Sequence, residues 1–183
     1  GAGQMGNGIA HVCALAGYDV TLSDVSDERL DAAMSQMSQN LDRQVRRGLI
    51  DEMAKRDAIS RVKTTVEYAP FGECDLVIEA ATENEEIKRS IFKKLVPVLS
   101  PQALIATNTS SISITRLAAV TDRPGRLMGV HFMNPVPLMK LVELIRGIAT
   151  EEETVKTVRE VAERLGKYPV SAEDFPAFIV NRI

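Results

Sequence analysis

Two imidazoles are available in these 183 residues, His11 and His131, and their settings differ. His131 ends the strand-like run Leu127-Met128-Gly129-Val130, just before Phe132-Met133-Asn134-Pro135. In open α/β sheets the ligand crevice lies beyond the carboxyl ends of the strands. An imidazole placed there suits proton transfer near neutral pH. His11 lies inside the first helix and reads as structural or partly exposed. Glu143, in Leu141-Val142-Glu143-Leu144-Ile145, shares a face with Leu141 and Ile145 by strand alternation. A carboxylate on an apolar face is costly unless it is paired. A chain returning through the Pro135/Pro137 turn would bring His131 to it, fixing the imidazole tautomer and raising its basicity. The alternative is an exposed charge on an edge strand beside a hydrogen-bonded core histidine.

A second group of residues is suited to phosphate. Gly1-Ala2-Gly3-Gln4-Met5-Gly6 matches GxGxxG and opens directly into a helix. Glycines there allow a tight turn, close approach of backbone to a pyrophosphate and close helix–strand packing. The helix N-terminus adds unpaired N–H groups and a positive dipole end. Asp24 closes the next strand at the spacing where a carboxylate receives a ribose 2′-hydroxyl and repels a 2′-phosphate. No Arg follows Asp24 immediately, so the pattern favours NAD over NADP. A glycine-rich loop with a strand-end acid also serves S-adenosylmethionine enzymes, and the loop alone does not separate the two.

Further polar groups end other strands. Asn108-Thr109-Ser110-Ser111 follows Leu104–Thr107; Ser113 suits a helix cap, which frees Ser110 to face the crevice. Thr82, Glu83 and Asn84 follow another strand, as nicotinamide-ribose contacts or as caps of the next helix. Cys13 reads as a small buried hydrophobe and Cys74 lies near a turn; no CxxC or Cys/His cluster suggests a metal. Lys plus Arg number 22 against 25 acidic residues, a net charge of −3. That balance does not suit a nucleic-acid backbone or an anionic membrane. Hydrophobic residues at 45% and charged ones at 26% exclude disordered, collagenous and disulfide-scaffold classes. No signal peptide and no apolar run of membrane-spanning length is present, so a cytoplasmic address is the default.

The elements that must position these residues alternate between helix and strand periods, as in an α/β fold with a mostly parallel sheet. Helices are expected at Ile9–Ala16, from Ser26 to Arg47, at Asp51–Arg61, Asn84–Leu95 and Ile114–Ala119, and from a Thr150/Glu153 capping box to Leu165. Strands are expected at Val20–Ser23, Val62–Val66, Leu76–Ala80, Leu104–Thr107, Leu127–Phe132, Leu141–Ile145 and Tyr168–Ser171. The second and third helices form a hairpin projecting from the sheet. Pro176 suits the start of a further helix.

Taken together, Gly1–Ala10, Asn108–Ser111, Gly129-Val130-His131-Phe132-Met133-Asn134-Pro135, Leu141–Leu144 and Phe178-Ile179-Val180-Asn181-Arg182 resemble the 3-hydroxyacyl-CoA dehydrogenase family nearly end to end. The resemblance implies a Rossmann-type NAD-binding domain over 1–171, with 172–183 entering a helical substrate and dimerisation domain. It implies NAD-dependent, reversible oxidation of (S)-3-hydroxyacyl-CoA, of short chain. His131 would take the hydroxyl proton with Glu143 behind it, while Ser110 and Asn181 hold the reacting oxygen. Asp24, Glu83 and Lys88 match positions near the NAD ribose and nicotinamide ends, and Asn134 one lining the site. The hairpin matches a coenzyme A arm, placing Lys55, Arg46 and Arg47 near CoA phosphates. Ala177 stands where the family usually has Gly. A strand before the glycine loop and a dimerising domain after Arg182 would complete the longer protein, with acyl-CoA as substrate and a homodimer as the assembly.

Overall fold

Leu76–Glu79, Leu104–Thr107, Leu127–Phe132 and Leu141–Arg146 carry apolar residues on both faces, so these four runs must be covered on both sides. The computed structural model describes residues 1–175 and 178–180. In chain order they form α1 (Gln4–Leu15), β1 (Val20–Ser23), α2 (Asp27–Arg46), α3 (Glu52–Ser60), β2 (Val62–Thr65), β3 (Leu76–Glu79), α4 (Glu85–Leu95), β4 (Leu104–Thr107), α5 (Ile114–Ala118), β5 (Leu127–Phe132), β6 (Leu141–Arg146), α6 (Glu152–Arg164) and β7 (Tyr168–Glu173). Five strands form one sheet in the order β3-β4-β5-β6-β7. All its neighbours are parallel except β5 and β6. β1 and β2 pair separately and in parallel. The glycine loop lies between these two sheets: Ala2 N–H donates to Asp24 after β1, and Gly1 backs onto Ala80 after β3.

Strand alternation sorts the side chains onto two faces. Val77, Ile105, Leu127 and Ile145 pack under α4 and α5 with Phe92, Leu95, Ile114 and Leu117. Leu104, Ala106, Met128, Val130, Val142 and Leu144 pack under α1 and α6 with Ile9, Val12 and Val158. By the same period of two, Glu79, Thr107, His131 and Glu143 all fall on the α4/α5 face. Gly129 lies in that row because Ile114 packs directly over it: an added Cβ would lie 2.7 Å from Ile114 Cδ1.

The hairpin of α2 and α3 rests on α1 through Leu30, Ala33, Met37, Leu41 and Ala58, so its inner half is core and only its tip projects. Three expectations shift. α1 begins five residues before Ile9, because the helical penalty of Gly6 and Gly8 yields to close packing on Gly1 and Val136. The Thr150/Glu153 capping box does not form. Thr150 is instead buried, its hydroxyl donating to the Leu127 carbonyl (2.8 Å) and accepting from Gly147 N–H (3.0 Å), and Glu151 is the N-cap. β6 and β7 run on to Arg146 and Glu173 as a six-residue parallel ladder. The helix expected from Pro176, and Ala177, lie outside the described residues.

Candidate active site

His131 and Glu143 are direct cross-strand partners in the antiparallel β5–β6 pair. The imidazole Nδ1 lies 2.6 Å from Glu143 Oε2. Glu143 is 1% exposed and β7 covers its strand, so it is no edge-strand charge. Its other oxygen, Oε1, accepts the backbone N–H groups of Ile179 (2.9 Å) and Val180 (2.8 Å). Those two amides follow Phe178, whose φ of 49° is left-handed and whose ring lies 6.3 Å from the imidazole. A non-glycine residue in that region is strained, and here the turn directs two N–H groups at one carboxylate. With donors on both oxygens, the buried carboxylate holds Nδ1–H of the imidazole and leaves Nε2 as the basic atom. Asn181 lies outside the described residues.

Ser110 stands in a loop that wraps a second carboxylate. Glu83 Oε1 accepts from the Thr109 hydroxyl (2.7 Å), Ser110 N–H (2.9 Å) and hydroxyl (3.0 Å), and Ser111 N–H and hydroxyl (both 3.0 Å). Burial alone would raise the Glu83 carboxyl, but these bonds outweigh it and hold it below its ordinary value. Ser113 caps α5, accepting from Arg116 N–H, and Asn84 caps α4, so Ser110 is not used as a cap. Lys88 is wholly buried beneath this loop, its ammonium 2.6 Å from Glu79 Oε2 and 3.1 Å from the Asn108 carbonyl. Asn134 is exposed in the turn after β5.

At the glycine loop the residues fit a pyrophosphate. A Cβ on Gly6 would lie 1.8 Å from the Gly1 carbonyl oxygen, and one on Gly1 2.6 Å from that of Ala80, so both positions are spent on packing. A Cβ on Gly3 would meet nothing within 4 Å, and no side chain caps the N-terminus of α1. The first-turn N–H groups of α1 therefore have no side-chain cap to accept them, the donor set that phosphate oxygens need. Asp24 accepts Ala2 N–H and Val25 N–H, both at 2.7 Å. Burial would raise its carboxyl, and these bonds, with Arg29 3.6 Å away, hold it low as an anion able to accept ribose hydroxyls.

Arg46 and Arg47 are exposed at the hairpin tip, and Lys55 is ion-paired with Asp42. Among the described residues no group of three His, Cys, Asp or Glu could hold a metal, and no helix is long and apolar enough to cross a membrane. Glu79, the Asn108 side chain and the Phe178 turn escape the motif reading. An acid closing an apolar strand was the one signal for Glu79; nothing in the local sequence marks the left-handed turn.

Known proteins match this chain in sequence and in fold. The sequence model of the family described as "3-hydroxyacyl-CoA dehydrogenase, NAD binding domain" matches residues 1–175. The 3-hydroxybutyryl-CoA dehydrogenase of Bradyrhizobium diazoefficiens is 59% identical over all 183 residues, which span 62% of that protein. The crystal structure of (S)-3-hydroxybutyryl-CoA dehydrogenase from Ralstonia eutropha superposes with a TM-score of 0.98 at 45% identity, covering all of this chain and 65% of that one. A fatty acid oxidation complex subunit alpha from Psychrobacter sp. is 42% identical, the match spanning 26% of it. The chain thus spans less than two thirds of the length of these two 3-hydroxybutyryl-CoA dehydrogenases.

Proposed function

Because the chain belongs to the 3-hydroxyacyl-CoA dehydrogenase family, through its NAD-binding domain, we propose that it supplies the cofactor site and the proton-transfer pair for reversible oxidation of (S)-3-hydroxyacyl-CoA to 3-ketoacyl-CoA. The observation that carries this is the His131–Glu143 pair, a 2.6 Å contact at the mouth of the sheet with both carboxylate oxygens engaged. Cofactor binding alone requires no such base. NAD, when bound, supplies the hydride acceptor.

His131 Nε2 takes the proton of the 3-hydroxyl as the C3–H electron pair departs, and the ketone remains. Glu143 keeps the ring oriented and offsets the positive charge it acquires. Ser110, with Asn181, holds the reacting oxygen between base and cofactor. The glycine loop, with Gly1, Gly3, Gln4, Met5 and Gly6, holds the pyrophosphate, Asp24 the adenosine ribose, and Glu83 the nicotinamide end. Lys88 acts there from beneath the loop, and Asn134 lines the crevice. Arg46, Arg47 and Lys55 meet the CoA phosphates. Names of the similar proteins support a short acyl chain. A homodimer and a cytoplasmic location belong to the same reading, supported by the family resemblance.

The test is acetoacetyl-CoA-dependent oxidation of NADH by the full-length protein. His131→Gln should lower kcat by at least about 100-fold while NADH binding persists, the loss expected when a positioned base is removed. Loss of turnover and NADH binding together would make the histidine structural. NADH binding by the unaltered protein without any turnover would favour a non-catalytic role.

A further inference from the structure

β4 pairs with β5 only as far as Thr107↔Gly129, two residues short of His131. Beyond that point the β4 side of β5 is held by a side chain: Phe132 N–H donates to Asn108 Oδ1 at 3.0 Å. The residue next to the base is thus tied on one edge by the β6 ladder and on the other by a single amide. Asn108 is itself fixed twice through its backbone. Its N–H donates to the Glu79 carbonyl (2.7 Å) and its carbonyl accepts from Lys88 Nζ (3.1 Å).

The Lys88 ammonium is wholly buried. Glu79 Oε2 accepts from it and from the Thr107 hydroxyl, both at 2.6 Å, and Oε1 accepts Ala81 N–H at 2.7 Å. A buried ion pair adds little stability over well-packed apolar residues of similar volume. What this pair adds is directional, a charged donor fixed on the Asn108 carbonyl. We propose that Asn108 is a positioning residue for His131, anchored from below by the Glu79–Lys88 pair. Lys88 then serves the reaction through Asn108, in addition to its part at the nicotinamide end. The kinetic half of this inference rests on the dehydrogenase reading above; the structural half does not.

The experiment compares Asn108→Ala with Asn108→Asp in the full-length protein. Alanine removes the acceptor for Phe132 N–H, and aspartate keeps an oxygen in its place. Asn108→Ala should lower kcat by about 10- to 100-fold, the scale of a misplaced reacting group, with KM and NADH affinity within about threefold, and Asn108→Asp should restore most of the loss. A second readout needs no turnover. The short His131–Glu143 hydrogen bond should give a far-downfield proton resonance in the ligand-free protein, broadened in Asn108→Ala and retained in Asn108→Asp.

Lys88→Met alone strands a buried carboxylate and can fail to fold, so the anchor is tested in the double variant Lys88→Met/Glu79→Leu. That protein should fold and, free of ligand, show the broadened resonance of Asn108→Ala. Unchanged kcat and resonance in Asn108→Ala, or no recovery in Asn108→Asp, would overturn the role of Asn108. A folded double variant with a normal resonance would overturn the anchor. If the unaltered protein turns over no acetoacetyl-CoA, the resonance still decides the positioning role, and only the dehydrogenase reading falls.

Discussion

Glu143 meets three donors: the imidazole on one oxygen, and the Ile179 and Val180 amides on the other. Its two obvious replacements should therefore separate chemistry from folding. In Glu143→Gln the side-chain carbonyl can still take the amide pair, but the NH2 now faces Nδ1. The imidazole must then accept at Nδ1, which puts its hydrogen on Nε2 and removes the base. We expect kcat to fall by about 10³- to 10⁴-fold, as for other wrong-tautomer variants, with urea-denaturation stability within about 1 kcal/mol of the parent. Glu143→Ala leaves three buried donors without an acceptor and should cost about 2–5 kcal/mol of stability as well. If Glu143→Gln were as unstable as Glu143→Ala, the carboxylate would be structural first. The pairing itself was half legible in the sequence: an acid on an apolar face asks for a partner, but the spacing left an exposed edge-strand charge open until the family resemblance favoured the pair. The amide pair was not, since it depends on a left-handed turn at Phe178 that no glycine or asparagine announces.

At the scale of elements, strands β1, β4 and β5 coincide with their expected spans, because their apolar runs are bounded by turn residues or polar loops. Helix starts were less legible. Tertiary packing overrides the glycine penalty in α1, and the Thr150 hydroxyl is drawn to the Leu127 carbonyl instead of to its own helix. α5, only five residues long, is held in a way no local pattern reveals. Asp174, just past β7, accepts the Ser113 hydroxyl (2.8 Å) and the N–H groups of Ile114 (2.9 Å) and Thr115 (2.8 Å). Burial works to raise its carboxyl, and these donors hold it below the ordinary value. Asp174→Ala should cost about 1–2 kcal/mol, the scale of a lost helix cap, measured by urea unfolding. An unchanged unfolding midpoint would show that Ser113 alone suffices.

For the molecule as a whole, the seam between α1 and the hairpin contains a titratable group outside the proposed chemistry. His11 is 1% exposed; Gln44 Nε2 donates to its Nε2 at 3.2 Å, and the buried Nδ1 has no partner among the described residues. Burial lowers its pKa from 6.5, more than the Gln44 bond raises it. As pH falls through about 6.5 the unfolded chain gains this proton before the folded one, so stability declines toward acid. The carboxyls held low, Glu83 and Asp174, lose their contributions only below their ordinary values of 4.5 and 3.8. Urea unfolding at pH 7.5 and 5.5 should thus show a drop that His11→Leu largely removes; an equal drop in both would assign the slope elsewhere. The β5–β6 register carries a different consequence. Side chains alternate strictly, so slipping β6 by one residue would turn Glu143 toward Met128 and Val130 and leave His131 facing an aliphatic neighbour. A chain that mispairs there is both unstable and inert. The same pair proposed for proton transfer also proofreads the sheet, and a molecule active by that route has, by that fact, assembled its strands correctly.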